Sequence, residues 1–459
     1  MIRYFRYLRS LLARLESGLS GIGELQRDLA TLQRDLATLQ HDLDTLRHDV
    51  DYVRHVAEQT RANAGLAARS RPAHTPVRVF FLIHHLEAWY SLADVYAEMA
   101  AADDFLPLVA SIPRRFPGAR EFQDEELVHD GLTKFGIPHI RLRSDDSFQD
   151  LAVVRAFSPD VVFRQSQWDL DVPDAFTTNE LAFARLCLVP YEPMGLVRNP
   201  ADSAINPGYD CAYYRQAWRV FLANDLARDE VMSQAPATRP DQYVVTGHPK
   251  ADLLRRKITL GAPGADRPFT ILWSAHHSID DHWVRFGMFH RMALDMVEMA
   301  QRHPEWRFVL SLHPALAVKL ESADPPLDAD FVAAFWRDWN GLPNTSLFPG
   351  GDYGPLFANT DALLCDGLSW LLEYQLAGKP VVFLQREGHR PFNALGNIAL
   401  TGMNQVDSLP IAEGLFEQFA AGRPDPHKPA QAEVVAALFG SSGAASRIVA
   451  AIRTGLVAD

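Results

Sequence analysis

Short apolar runs alternate with helical stretches along most of the chain, from Val77 onward. Runs such as VRVFFLI, FLPLVAS and WRVFLAN have the length of buried strands, and the segments between them carry apolar residues at helical spacing. This alternation predicts βαβ units, in which parallel strands form a sheet that helices cover on both faces. The length of 459 residues suggests two or three domains.

The strands fall into two series of similar size, which predicts two Rossmann-like domains. We expect an N-terminal domain over residues 77–235 and a C-terminal domain over 236–407, whose strand series begins with YVVTGHP. Residues 67–76 contain two prolines and few apolar side chains, as expected of a linker. Residues 408–459 are helical in pattern and are expected to pack back across the two domains.

A heptad repeat precedes these domains. In LQRDLATLQRDLATLQHDLDTLRHDVDYV, residues 25–53, apolar side chains recur at alternating steps of four and three. A lone helix with this seam would leave its leucines in water, so the seam requires partner helices, most simply from other copies of the chain. We therefore predict that residues 1–66 form an amphipathic helix and a coiled-coil stalk for self-association, with the number of helices in the coil left open.

Residues 1–17 carry Arg3, Arg6 and Arg9 at helical spacing among apolar side chains. One interpretation is a basic amphipathic helix that contacts an anionic membrane surface. The other is a frayed helix that leads into the coiled coil. No continuous apolar run reaches the length of about 18 residues that a membrane span requires, so no span is expected.

Charge and cysteine content narrow the class of protein. The net charge of −13 argues against nucleic-acid binding, because such binding depends on Lys and Arg that neutralise phosphates. Cys187, Cys211 and Cys365 have no close spacing, so they indicate neither a zinc site nor a disulfide framework. We expect a cytoplasmic protein, peripheral at the inner face of the cell membrane if the N-terminal helix binds lipid.

Four strands of the second series end in polar side chains. These are His248, Ser274 with His276 and His277, His313, and Asp366. The carboxyl ends of parallel strands meet at one edge of a sheet, where ligands bind in doubly wound folds. The sequence therefore predicts one shared ligand site.

A metal ion suits this site poorly. Adjacent histidines on extended backbone point to opposite faces, which disfavours joint binding of one ion by His276 and His277. His277, Asp281 and His282 remain an alternative set of ligands. We expect no metal and no other cofactor.

An anionic ligand fits the residues better. A helix is predicted to begin near Ser369, and free backbone N–H groups at its start would attract phosphate. Gly367 lets the turn approach the ligand closely, and His313 can donate to a phosphate oxygen. Glu373, one turn into the helix, faces the same direction as Ser369 and can bind ribose hydroxyls. These residues predict a phosphate-bearing ligand.

Several enzyme classes lack their motifs in this chain. No Gly-x-Gly-x-x-Gly follows the first strand, and no Gly-Lys-Ser/Thr run is present. No Gly-x-Ser-x-Gly elbow is present either. The sequence therefore does not support a simple dehydrogenase, a P-loop NTPase or a serine hydrolase.

The segments TGHPKAD, ILWSAHHS, FVLSLHP and DALLCDGLSWLLEYQLAGKPVVFL resemble motifs of the CDP-glycerol glycerophosphotransferase family. These are teichoic-acid and capsule polymerases with a two-domain GT-B fold, and the resemblance runs over residues 77–405. It implies that His313 handles the donor phosphate. It also implies a donor-binding role for Asp366, Ser369, Glu373 and Lys379.

The N-terminal half departs from the family pattern. The family has a His-Gly-Thr-Pro motif there, with the histidine as base, whereas the comparable strand end is LVPYEPMGL, with Glu192 near that place. Either the base is Glu192 or Tyr191, or His84 or His85 performs this role, or the acceptor differs from that of the family. The predicted catalytic residues are Glu192, His313, His277 and His85. The predicted donor-binding residues are His248, Ser274, His276, Asp366, Gly367, Ser369, Glu373 and Lys379.

The resemblance implies a metal-independent GT-B transferase with an N-terminal coiled coil. It would move a glycerol-phosphate or sugar unit from a nucleotide-diphosphate donor to a cell-surface glycan or polyol-phosphate acceptor. The alternative is a non-catalytic oligomeric scaffold with a degenerate GT-B body.

Overall fold

The computed structural model describes residues 2–115, 121–198, 208–261, 267–281, 284–323 and 326–458. Within these ranges, a few side chains are left undescribed, most of them in the first 35 residues. The chain divides into two compact units, residues 1–64 and residues 65–459.

One helix, α1 (Ile2–Arg69), accounts for the whole first unit and for the start of the second. Its seam side chains are exposed to solvent, for example Leu32 and Leu39 at 64% each. The helix ends at Arg69, so the linker begins three residues later than the sequence predicted. The long N-terminal helix is as expected, while association with other copies stays a prediction.

The first sheet contains seven parallel strands in the order β3-β2-β1-β4-β5-β6-β7. They are β1 (Val77–Ile83), β2 (Phe105–Ser111), β3 (His139–Arg141), β4 (Val161–Arg164), β5 (Arg185–Leu188), β6 (Arg219–Leu222) and β7 (Tyr243–Val245). The helices between them are α2 (Ala93–Ala100), α3 (Glu125–Lys134), α4 (Ser147–Phe157), α5 (Thr178–Leu181), α6 (Ala212–Gln216) and α7 (Asp225–Gln234).

The second sheet contains six parallel strands in the order β10-β9-β8-β11-β12-β13. They are β8 (Thr270–Ala275), β9 (Arg307–Leu312), β10 (Thr345–Leu347), β11 (Ala362–Cys365), β12 (Val381–Leu384) and β13 (Asn404–Val406). The associated helices are α8 (Pro249–Leu260), α9 (Phe289–Arg302), α10 (Pro314–Ser322), α11 (Ala329–Gly341), α12 (Gly354–Asn359), α13 (Ser369–Glu373) and α14 (Ala394–Leu400).

Both central strands are buried on both faces because helices pack on each side of their sheet. In β1, Phe81 is fully buried and its ring stacks on that of Phe163, with the centroids 5.0 Å apart. In β8, Trp273 packs in the same way on Phe289, at 5.7 Å. Continuous apolar runs of this kind are what a doubly covered parallel sheet requires. The predicted pair of Rossmann-like domains is confirmed.

The strand β7 differs from its predicted place. The sequence assigned YVVTGHP to the second series, but β7 pairs with β6 of the first sheet, Val220 opposite Tyr243. An apolar run shows that a strand exists without showing which sheet edge it joins. The short crossover through α7 returns the chain to the first sheet, so the boundary between the domains lies after Val245 and not at residue 235.

Three helices, α15 (Leu409–Ala420), α16 (Lys428–Phe439) and α17 (Ala444–Ala458), form the C-terminal segment. Ile448, Val449 and Ile452 of α17 pack in the core of the first domain, so the chain returns to that domain at its end. The stretch Lys428–Val457 is long and apolar enough, by length and composition alone, to cross a membrane, which the search for one continuous apolar run did not predict. It comprises two helices, and 39% of the tested window is buried in the protein.

Candidate active site

Three histidine rings lie together at the carboxyl edge of the second sheet. His276 and His277 follow β8, and His313 follows the neighbouring β9. The ring centroid of His313 lies 4.2 Å from that of His277 and 5.5 Å from that of His276. We call these three side chains the histidine cluster. The sequence predicted this convergence, and the adjacency of β8 and β9 produces it.

Two of these rings have a defined tautomer. The Nδ1 atom of His276 accepts the backbone N–H of Ser278, at 3.2 Å, and lies 2.8 Å from the hydroxyl of the same residue. The Nδ1 atom of His313 accepts the N–H of Ala315, at 3.1 Å, and so caps α10. In the neutral ring the proton must then lie on Nε2. His276 and His313 are therefore fixed as Nε2–H donors.

His277 lies beside a cation. The Lys319 ammonium donates to the His277 carbonyl at 3.1 Å and to the Asp280 carboxylate at 2.6 Å. Burial, with the charge of Lys319 as the second cause, lowers the pKa of His277 to about 4. Within the described part of the chain, no group bonds the buried Nδ1 of His277. The ring is thus neutral at pH 7 and retains an unpaired polar atom, which is a frequent feature of ligand sites.

Asp366 and Gly367 lie next to His276 and determine the position of its backbone and ring. The Asp366 carboxylate accepts the N–H of His276 at 2.7 Å and also the N–H of Met288. Burial raises the pKa of Asp366 to about 7, although these two N–H groups act in the opposite direction. A Cβ atom at Gly367 would lie 3.2 Å from the His276 ring, so only glycine leaves that ring its full space. The Asp366 carboxylate is therefore bonded to the backbone on both sides of the loop and positions His276.

Arg386 organises the loop that follows His277. Its guanidinium donates to the carbonyls of Ser278 and Ile279, at 3.1 and 3.0 Å, and to the Asp281 carboxylate at 2.8 Å. The sequence placed a helix start at IDDHW, but α9 begins only at Phe289, because this loop is held in a non-helical form. His282 and Trp283 lie outside the described residues, so the alternative metal set that includes His282 cannot be placed.

The carboxyl edge of the first sheet faces this cluster. The Gln165 side chain accepts the N–H groups of both His84 and His85, at 2.8 and 2.9 Å. Arg114 lies 3.1 Å from Nδ1 of His85, which fixes Nε2–H on this ring as well. Burial is the main cause of the strongly lowered pKa of His313, and the nearby His277 and His85 lower it further. His85 therefore stands across the cleft from the histidine cluster.

His84, His85 and Asp171 also have ligand atoms close enough together to hold a metal ion, a group that the sequence did not predict. Burial is the main cause of the lowered pKa of His84, and the nearby His85, Arg164 and Arg114 lower it further. The two arginine charges oppose a cation at this place. The Asp171 carboxylate already accepts the Ser166 hydroxyl at 2.6 Å. The electrostatics of this group therefore favour an anion or a hydroxyl over a metal ion.

Glu192 lies in a cavity of the first domain, after β5. Tyr191, Tyr209, Tyr214 and Gln167 line the same cavity. The Glu192 side chain reaches solvent, yet protein atoms surround it, and this desolvation raises the pKa of its carboxyl. The charge of Lys250 acts in the opposite direction. A solvent-accessible carboxylate with a raised pKa is suited to general-base chemistry.

Two residues that were predicted to bind the nucleotide donor are bonded to other groups of the protein. Glu373 is fully buried, and its two oxygens bind the Lys250 ammonium and the Tyr353 hydroxyl, each at 2.9 Å. In this structure it is not free to bind ribose hydroxyls, as the sequence had suggested. Lys379 donates to the carbonyls of Phe357 and Ala358, at 2.8 and 2.6 Å, and so caps the end of α12 instead of facing a ligand.

The remaining predicted ligands differ in their surroundings. His248 follows β7, so it lies on the first sheet and not on the second, and its Nε2 donates to the Pro190 carbonyl at 2.8 Å. Ser274 is half-buried within β8, beside Ser311 of β9. The predicted helix does begin at Ser369, but it has only five residues, and the side chain of Ser369 lies outside the described part.

The two domains and the returning C-terminal helix define the GT-B class of fold, and comparison with solved structures supports this assignment. The UDP-GlcNAc 2-epimerase from Neisseria meningitidis bound to UDP-GlcNAc aligns with a TM-score of 0.57 at 16% identity, covering 82% of this chain and 100% of the other. S. aureus MnaA with UDP aligns with a TM-score of 0.56 at 15% identity, covering 83% and 97%.

The wall teichoic acid polymerase TagF, as a variant, aligns with a TM-score of 0.56 at 13% identity, covering 90% of this chain and 96% of the other. A TagF structure soaked with CDPG aligns with a TM-score of 0.52 at 14% identity. At such identities the likeness shows the shared fold. No protein-family model and no curated protein matches the sequence.

Proposed function

We propose that the protein is a GT-B transferase that uses a nucleotide-diphosphate donor. The observation that carries the proposal is the histidine cluster at the second-sheet edge, in which His276 and His313 are fixed as Nε2–H donors. The transferred unit is a glycerol-phosphate or a sugar. The acceptor is a hydroxyl of a cell-surface glycan or a polyol phosphate.

Neutral imidazoles suit a diphosphate in this cleft. Oriented N–H donors stabilise developing negative charge without reorganising, and they are more effective where water is excluded. The Lys319 ammonium lies beside His277, and the Asp280 carboxylate balances its charge. His85 lies on the opposite wall, where Arg114 contacts its Nδ1. These groups can stabilise a leaving phosphate with this chain's own side chains.

Glu192 is the proposed general base. It would accept the proton of the acceptor hydroxyl while the hydroxyl oxygen forms a bond to the donor. If a sugar is transferred, the new bond is to its anomeric carbon and a nucleoside diphosphate leaves. If glycerol-phosphate is transferred, the new bond is to phosphorus and a nucleoside monophosphate leaves. The raised pKa of Glu192 makes it a stronger base than a solvated carboxylate.

The ligands of the structural neighbours support this class of donor. The epimerase is bound to UDP-GlcNAc, MnaA to UDP, and TagF was soaked with CDPG. For this chain we further propose self-association through α1 and contact of its basic N-terminal residues with the inner face of the cell membrane. Arg6 and Arg9 are exposed, as such contact requires.

The test is incubation of the purified protein with CDP-glycerol and with UDP-GlcNAc, with and without a polyol-phosphate acceptor. We expect acceptor-dependent release of nucleotide, and its identity as monophosphate or diphosphate assigns the transferred unit. His313→Asn should abolish most of this release, since Asn can still cap α10 but lacks the Nε2–H. His48→Ala, an exposed histidine of α1, is the matched control.

Three other outcomes would contradict the proposal. Epimerised donor without any acceptor product would indicate an epimerase. Donor binding without turnover would favour the non-catalytic scaffold. Full activity of His313→Asn would remove the histidine cluster from the mechanism.

A further inference from the structure

The exposed seam of α1 has a distinctive charge pattern on its two flanks. We call residues 25–61 of this helix the stalk, and we take Leu29, Leu36, Leu43 and Val50 as heptad position a. Position d is then occupied by Leu32, Leu39, Leu46 and Val53. The exposed fractions of these side chains lie between 49% and 64%, so the seam is uncovered along its length.

The two flanks carry opposite charges. The residue before each a position, heptad position g, is aspartate throughout: Asp28, Asp35, Asp42 and Asp49. The residue after each d position, heptad position e, is glutamine in the first half, at Gln33 and Gln40, and then arginine, at Arg47 and Arg54. One edge of the seam is therefore acidic, and the other is neutral and then basic.

This pattern distinguishes the possible orientations of a second helix. In a parallel pair, each g side chain faces the e side chain of the following heptad on the partner. Asp42 would then face Arg47 of the second copy, and Asp49 would face Arg54. In an antiparallel pair, g faces g and e faces e, so that aspartate meets aspartate and arginine meets arginine. The charges favour the parallel arrangement and oppose the antiparallel one.

The arginines are free to change partners. Arg47 lies 3.4 Å from Asp44 and Arg54 lies 3.4 Å from Asp51, both on the same helix. These side chains are 66–74% exposed, and exposed pairs of this kind contribute little to stability. Contacts with a second helix can therefore replace them.

We infer that the stalk binds the same segment of a second copy of this chain, in parallel and in register. A staggered parallel pair would leave each copy with unpaired seam surface, whereas an in-register pair satisfies two-fold symmetry and closes the assembly. Both copies of residues 65–459 then follow the same end of the coil. The basic residues Arg3, Arg6 and Arg9 of both copies gather at the other end. The inference deepens the proposed self-association and does not depend on the proposed transfer reaction.

Cysteine cross-linking of the full-length protein tests the orientation. Leu32→Cys and Val50→Cys are made separately and oxidised, and disulfide-linked dimer is measured on non-reducing gels. A parallel, in-register coil predicts efficient dimer from each variant alone. His41→Cys, on the outer face of the same helix, should give little dimer. The unmodified chain measures the background from its own cysteines, of which Cys187 and Cys365 are buried.

Two results would overturn the inference. If neither variant reacts alone but a mixture of the two yields dimer, the helices are antiparallel, because full antiparallel overlap of the seam places residue 32 opposite residue 50. If none of the variants reacts and light scattering gives the mass of one chain, the stalk does not self-associate. Neither the gel nor the light-scattering measurement depends on turnover. A failure of the proposed transfer reaction can therefore be distinguished from a failure of the proposed self-association.

Charge reversal gives an independent test. The double variant Asp42→Arg/Asp49→Arg places like charges on both flanks, and so does Arg47→Asp/Arg54→Asp. Each should weaken self-association about tenfold or more, measured by sedimentation, and an equimolar mixture should restore it. An antiparallel coil already opposes like charges, so an unchanged dissociation constant in both variants would contradict the parallel arrangement.

Discussion

The histidines at the carboxyl edges of the two sheets differ in the hydrogen bonds that their ring nitrogens make. At the second edge, donors from the local loops bind Nδ1 of His276 and of His313, and this leaves two Nε2–H groups fixed. At the first edge, His84 is fully buried, and among the described residues none bonds either of its ring nitrogens. Glu192 at this edge is a solvent-accessible carboxyl whose pKa is raised by desolvation. Under the proposed function, the second edge presents donors to an anion, and the first presents a base.

If the two sheet edges have these different roles, the largest effect is expected from substitution of Glu192. In Glu192→Gln the side chain keeps its size but cannot accept the acceptor proton, so kcat should fall by about 10²- to 10⁴-fold. Donor affinity should stay unchanged, because we propose that the donor binds at the edge of the second sheet. Initial rates together with donor titrations check both points. An equal loss of donor affinity would show that Glu192 belongs to the donor site.

A smaller effect is expected from the loop that supports the second edge. Arg386→Met removes a buried guanidinium and leaves several carbonyls, including those of Ser278 and Ile279, without a donor. We expect a loss of about 2–4 kcal/mol in the free energy of unfolding, measured in urea. Donor affinity should fall as well, because the loop holds the histidine cluster. Arg390→Met, on a neighbouring loop position, is the control.

The histidines also predict how stability depends on pH. The native pKa values are lowered to about 4 for His277 and to about 3 for His85 and His248, against the ordinary value of 6.5. Between these limits the unfolded chain binds more protons than the native one, so stability should rise with pH from about 4 to 6.5. The raised pKa of Asp366 acts in the opposite sense up to about pH 7. Thermal melts across this range check the sign, and a midpoint that falls as pH rises would contradict it.

The smallest change concerns the turn below His276. In Gly367→Ala the new Cβ would lie 3.2–3.3 Å from the His276 side chain, which must move by a few tenths of an ångström. We expect a loss of about 1 kcal/mol or less in stability and a severalfold loss of donor affinity. Gly341→Ala, where nothing lies within 4 Å of the added atom, is the control for the substitution itself. Equal effects of Gly367→Ala and Gly341→Ala would show that Gly367 has no specific role in the site.

The sequence predicted the fold and the clustering of His276, His277 and His313, because strand order in a parallel sheet brings neighbouring strand ends together. It misplaced β7, since an apolar run does not specify which sheet it joins. It also assigned ligand roles to Glu373 and Lys379, whose bonds to Lys250 and to helix carbonyls depend on tertiary packing. Spacing along the chain carries no signal for such long-range partners, nor for Lys319 beside His277.

Calorimetric titration with UDP and with CDP tests the central claim most directly. We predict that one of these nucleotides binds the unmodified protein and that Glu192→Gln binds it with the same affinity. His313→Asn should bind it at least about tenfold more weakly, which corresponds to about 1.4 kcal/mol. Unchanged binding by His313→Asn would contradict the account, because the second-sheet edge would then not hold the diphosphate.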